Sequence, residues 1–277
     1  MIDIVYMINF IIVLLILLYS FTVLFLMADI IKINYRFGVF AYRFLAMGGL
    51  LQTLVLVGKT IRQGYFPILT LFEILFFYSL LLIILSILIH HLFKKWKILE
   101  MVMVFLGLLT LLCAISTGET FPIISEDFLS KLSFGHILLS VISYAAFSIS
   151  AIISILFIMY DCSLKKKVWN KFTKNFPSLE GLERNAYYAN IVGEILLFIG
   201  LIIGLVWASF FYDWKLLFDP KVLFSLIVLY MYGVAIVKRQ RKTWVTKELA
   251  VWNIVAFFMV LLNFTVTYLL DSFHNWL

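Results

Sequence analysis

Apolar positions in this chain follow neither a helical stripe nor strand alternation. They form long continuous runs separated by short polar breaks. The runs cover roughly residues 5–27, 38–57, 68–90, 98–116, 137–160, 190–210, 221–237 and 249–270. A helix needs about 20 such residues to cross a bilayer, so the pattern predicts about eight transmembrane helices. Barrel strands do not fit, because the runs are too long and too uniformly apolar. A helix also satisfies its own backbone hydrogen bonds in lipid. The expected fold class is all-α, a polytopic membrane helix bundle. No linker, low-complexity tract or clear repeat interrupts the runs, so residues 1–277 read as a single integral-membrane domain. The first run is long and lacks a basic leading segment, so it reads as a span rather than a cleavable signal.

Composition agrees and removes alternatives. Charged residues make up 13% of the chain and hydrophobic ones 64%. A soluble domain carries roughly 25% charged residues, so too little polar surface exists for a water-facing globule. The distribution of Lys and Arg then sets an orientation. With the N-terminus outside, the inner segments hold sixteen of them and the outer segments five: Lys59, Arg62, Lys131, Lys215 and Lys221. Arg43 falls within the second span. The expectation is N-out, C-out. The net charge of +7 is thus a topology signal and gives no reason to expect nucleic acid as a partner.

The polar exceptions carry the candidate chemistry. Cys113 and Cys162 fall near opposite membrane faces, which excludes a disulfide between them. The inner segment from Asp161 to Asn185 is rich in Lys and aromatics. It suits either a short surface helix with Trp169 and Phe172 in the interface or a solvated basic loop. His90 and His91 are adjacent, and neighbours on a helix point about 100° apart; they read as interfacial residues beside Lys94 and Lys95. Glu73 lies just below the outer surface, where an acidic side chain is costly and usually paired, with Arg62 and Lys59 as candidate partners. Glu100 and Glu194 are placed near inner helix ends, where snorkelling is easy, and receive no role. His136 opens the fifth run and His274 follows the eighth. Charge counting puts both on the outer side, together with the aromatic loop from Trp207 to Trp214. Two neutral imidazoles facing each other across an aromatic wall would make an axial haem site. Each histidine alone is equally an interfacial residue, and the loop equally an aromatic belt.

Several segments together resemble the cytochrome c assembly family. Gly204-Leu-Val-Trp207-Ala208 is followed without a gap by Asp219-Pro220-Lys221 and by Phe224-Ser-Leu226-Ile227, which looks like that family's Trp-rich loop. Pro67-Ile-Leu-Thr-Leu-Phe-Glu73, the stretch His136 to Ser143-Tyr144-Ala145, Pro177-Ser-Leu-Glu-Gly-Leu182 and the tail Leu269-Leu-Asp-Ser-Phe-His274 match further motifs in order. The resemblance covers roughly residues 64–277. There are departures. Tyr212, Leu216, Phe218 and Phe224 stand where tryptophan is expected, Asp213 replaces Gly, Val222 replaces Glu, and Val237 occupies the place of an inner histidine. These departures fit the family's HemX branch better than its cytochrome-synthesising members.

The resemblance implies haem b as a cofactor, with His136 and His274 as axial ligands of its iron. It implies that Trp207, Phe211, Tyr212 and Trp214 line the porphyrin, that Asp219 orients the loop, and that Lys221 or Arg62 meets the propionates. The function implied is control of haem synthesis through the level of glutamyl-tRNA reductase, with no chemistry of the chain's own. The enzymatic rival is a subunit of a system II cytochrome c haem lyase, which would need a ResB/Ccs1-like partner with a large extracytoplasmic domain. A small-molecule transporter is the third reading. Besides such partners, the chain is expected to meet haem and the lipid bilayer.

Overall fold

The computed structural model describes residues 2–32, 35–93, 96–118, 131–167, 177–210 and 219–269. Among them the secondary structure is helical, and eight helices are long and apolar enough to cross a membrane. They are α1 (Ile2–Lys32), α2 (Tyr35–Gln63), α3 (Leu71–Leu92), α4 (Lys97–Thr117), α5 (Lys131–Lys165), α6 (Leu179–Ser209), α7 (Pro220–Gln240) and α8 (Thr246–Leu269). The chain is a multi-span membrane protein, as the apolar runs predict. Large apolar side chains such as Phe10, Leu50, Phe198 and Tyr230 are exposed, as lipid-facing surface requires.

The helices outrun the apolar segments, most of all in α5 and α6. Predicted at 190–210, α6 starts eleven residues earlier. Its polar first turns are helical because Ser178 caps them, accepting a hydrogen bond from the Gly181 amide at 3.1 Å. Pro177–Asn185 is therefore the capped start of α6 rather than part of a separate surface helix; Trp169 and Phe172 lie outside the described residues. Other ends are equally specified. α2 stops where Gly64 takes φ 78° and its amide bonds back to the Thr60 carbonyl at 2.9 Å. α7 begins with Asp219 as cap and Pro220 in its first turn.

The described helices form two compact units. In the first, α1 to α4, each helix packs on the next and α4 returns to α1. Its core holds a hydrogen-bonded chain in which the Tyr19 hydroxyl donates to Gln52 Oε1 at 2.6 Å and Gln52 Nε2 donates to the Phe76 carbonyl at 3.1 Å. The second unit, α5 to α8, closes in the same cyclic order. Its centre is the Phe147 ring stacked on Tyr232 at 3.8 Å, surrounded by Leu197, Val228, Met231, Ala256 and Val260. Consecutive helices here run antiparallel, which brings the start of α5, the end of α6, the start of α7 and the end of α8 to one end of this unit.

Candidate functional site

His136 lies in the second turn of α5 at that end, which the charge distribution leads one to expect on the outer side. Its imidazole sits against the backbone of α6. Nδ1 is 2.7 Å from the Gly200 carbonyl oxygen. A carbonyl only accepts, so Nδ1 carries the proton and the ring's lone pair is on Nε2. One turn further along α6, a Cβ added to Gly204 would stand 2.5 Å from Nδ1 and 2.8 Å from Cε1. The two glycines therefore form the groove that seats the ring, and any side chain at Gly204 would collide with it. This gives Gly204, the first residue of the loop motif, a physical reason. Gly200 is a site residue with no sequence signal beyond its spacing of four from Gly204.

Next to this seat Trp207 is 8% exposed and packs with Ala208 and Leu205. Asp219 is buried and its Oδ1 accepts from the Lys221 amide at 2.8 Å, which caps the start of α7. Lys221 lies in the first turn of the same helix, half-buried. Arg62 belongs to the other unit, where it is exposed. His274, Phe211, Tyr212 and Trp214 lie outside the described residues. Below the histidine, the Ser143-Tyr144-Ala145 motif also acquires a structure. Asn263 of α8 is fully buried; its amide nitrogen donates to the Tyr144 hydroxyl at 3.0 Å and to Ser225 Oγ at 3.1 Å. One polar side chain thus ties α5, α7 and α8 together beneath the site. A single asparagine in an apolar run did not announce this.

Other sequence expectations need revision. Glu73 is engaged by local backbone: its Oε2 accepts from the Leu69 and Thr70 amides at 3.0 and 3.3 Å, and Thr70 Oγ1 accepts from the Glu73 amide. It is the acidic half of a capping box that starts α3. Lys59 instead lies over the Phe72 ring at 4.7 Å. Glu100 is 2% exposed and both its carboxylate oxygens are 3.1 Å from His90 Nδ1. His91 Nε2 is 2.6 Å from the Tyr42 hydroxyl. The adjacent histidines serve different partners, as their helical spacing requires. Glu194 is half-way along α6 rather than at its end. Cys113 and Cys162 are both free and exposed. Among the described residues no group of three or more His, Cys, Asp or Glu side chains converges to hold a metal ion. A haem iron, held in its porphyrin, asks the protein only for axial donors, and His136 in its fixed tautomer is a suitable one.

The sequence model described as Cytochrome C assembly protein matches residues 68–274. The chain belongs to the cytochrome c assembly family. Within that family it is 34% identical to Protein HemX of Brevibacillus brevis, over 94% of this chain and 95% of that one. It is 31% identical to Protein HemX of Bacillus subtilis, over 94% of each. The cytochrome c biogenesis protein CcsA of Welwitschia mirabilis is more distant, 26% identical over 66% of this chain and 55% of its own. Val237, the family position read as an inner histidine, is 42% exposed on α7, so its side chain is not turned into the core of the unit.

Proposed function

We propose that this protein binds haem b at the outer end of the α5–α8 unit, with His136 and His274 on the iron, and that it regulates haem biosynthesis in a bacterial cell membrane. The observation that carries the reading is the seat of His136. An imidazole fixed by a bond from Nδ1 to a backbone carbonyl is oriented for ligation through Nε2 and made more basic there. The buried Trp207 beside it offers apolar surface to a porphyrin. Bound haem would supply an iron whose two axial positions are filled, suited to sensing or holding haem rather than to opening a coordination site. Phe211, Tyr212 and Trp214 would complete the wall, and Lys221 is a cation at this end of the unit that would meet a propionate.

The regulatory part is supported by the relatives named HemX, which align over nearly the whole chain. A valine at the inner histidine position supports a protein that holds haem without passing it to apocytochrome. In this reading the output is the level of glutamyl-tRNA reductase, and the chain carries out no chemistry. Deletion tests it: reductase levels should change while covalent c-type cytochromes persist. If deletion instead abolishes those cytochromes and leaves the reductase unchanged, the chain is a lyase subunit working with a membrane partner.

A further inference from the structure

The second unit contains a polar track that the haem reading does not use. Glu183, Tyr187, Asn190 and Glu194 are spaced four, three and four apart and so share one face of α6. Beyond them the same face turns apolar, with Leu197 and Leu201 buried. The lower residues of this track line a partly open cavity of about 30 Å³ to which all four helices of the unit contribute. That is room for about two water molecules. Across it runs a ladder of amides: Asn253 Nδ2 donates to Ser154 Oγ at 3.2 Å, and Asn190 Nδ2 donates to Asn253 Oδ1 at 3.0 Å. Asn190 is 3% exposed, and its Oδ1 is buried with no hydrogen-bond partner among the described residues. Asn190 lines this cavity, whose surface is largely apolar, and a buried amide oxygen calls for a donor, which a water in a space of this size can be. The end of the cavity nearest the helix termini is charged: Arg239 Nε donates to Glu183 Oε1 at 2.6 Å, and its guanidinium lies 3.8 Å from the Tyr187 ring centre. Charge counting assigns this end to the cytoplasm.

One turn above Asn190 stands Glu194. It stands half-way along α6, eleven residues or about 16 Å from Glu183 at the charged end, so its short side chain does not reach the Glu183–Arg239 pair. Its Oε2 is buried without a hydrogen-bond partner among the described residues. Its Oε1 is 3.4 Å from the place a Cβ on Gly233 would occupy, so it faces the backbone of α7. The charged and titratable groups on the neighbouring helices are otherwise engaged or remote. On α7, Arg239 is paired with Glu183 and Tyr232 is stacked on Phe147. On α5, Asp161 and Lys165 pair with each other at 2.6 Å and Tyr144 bonds to Asn263. On α8, Lys247 and Glu248 lie in the first turn. Glu194 is half-buried; a carboxylate with one oxygen buried and unpartnered in a membrane-spanning helix is costly, and such groups hold a proton or a partner.

We propose that Glu194 is a proton-binding site inside the membrane, in exchange with the inner face through the hydrated Asn190–Asn253–Ser154 cavity. The ligand is a proton delivered by water: one O–H bond forms on the carboxyl as one breaks in the water chain. This site is independent of haem and of the histidine ligands.

The test uses the full-length protein in detergent or vesicles with dicyclohexylcarbodiimide, an apolar reagent that attacks protonated carboxyls shielded from water. The acid adds across one C=N bond and rearranges to an N-acylurea with no leaving group, so the peptide containing Glu194 gains the reagent's full mass. Labelling of Glu194 that declines as pH rises, and its loss in Glu194→Gln, are the expected results. In infrared spectra Glu194→Gln should also remove a carboxylic-acid C=O band that shifts in D₂O. Asn190→Leu, or Ser154→Val as a second way of filling the cavity, should slow that shift several-fold. Folded protein with no adduct and no acid band at Glu194 overturns the proposal, as does labelling that ignores pH. Deuterium exchange as fast in both cavity variants as in the parent overturns the route.

Discussion

Substituting Gly204 by alanine tests the histidine seat without touching the histidine. The new Cβ would lie 2.5 Å from His136 Nδ1, 2.8 Å from Cε1 and 2.9 Å from Cγ, well inside van der Waals contact. Two responses are available. If the imidazole rotates away, it gives up the Gly200 bond, about 0.5–1.5 kcal/mol, and with it the fixed tautomer. Converted at 1.4 kcal/mol per tenfold, this raises the haem Kd by about 2- to 12-fold. If α5 and α6 separate instead, the overpacking costs about 1–3 kcal/mol of stability and the ring keeps its bond. Haem titration followed by Soret absorbance, with thermal unfolding of the same samples, reads both. Gly58→Ala is the control, since a Cβ there meets nothing within 4 Å. Gly200→Ala, whose nearest side-chain contact is Leu139 Cβ at 3.3 Å, should be milder than Gly204→Ala. If Gly204→Ala matches Gly58→Ala in both Kd and unfolding temperature, the account of the seat is refuted.

Three further outcomes are expected. Asn263→Leu removes both bonds to Tyr144 and Ser225 and leaves buried hydroxyls short of a donor, so it should lower stability by about 1–3 kcal/mol; an unchanged unfolding temperature would show that the tie is unimportant. Thr70→Ala deletes half of the capping box around Glu73 and should cost about 1 kcal/mol while leaving haem affinity as it was; a loss of haem would restore Glu73 to a functional role. A reporter fused after Leu277 should be active outside the cell, and cytoplasmic activity there would reverse the orientation and put both histidines on the other face.

The spans were legible because lipid imposes one demand that sequence shows directly, a continuous apolar run. What lies beyond the hydrocarbon was less so. The first turns of α6 mix Glu, Arg, Asn and Tyr, and only the Ser178 cap explains why they are helical. The Glu73 reading failed although its signal was present: Thr70 followed three residues later by Glu is a capping pattern, and membrane depth was weighed in its place. His136 stands out in the sequence by its motif and its expected side of the membrane, whereas Gly200 and Asn263 act through space on other helices and leave no local mark. Glu194 stands near the start of the apolar run yet half-way along α6, because the polar turns before it are helical too.

The absorption spectrum of the purified protein, taken beside those of His136→Ala and His274→Ala, tests the central claim most directly. A Soret band is expected in the parent, weakened or abolished in either variant and retained in His90→Ala and His91→Ala, whose histidines are engaged with Glu100 and Tyr42. A parent without haem, or His136→Ala and His274→Ala variants that bind it as the parent does, would contradict it.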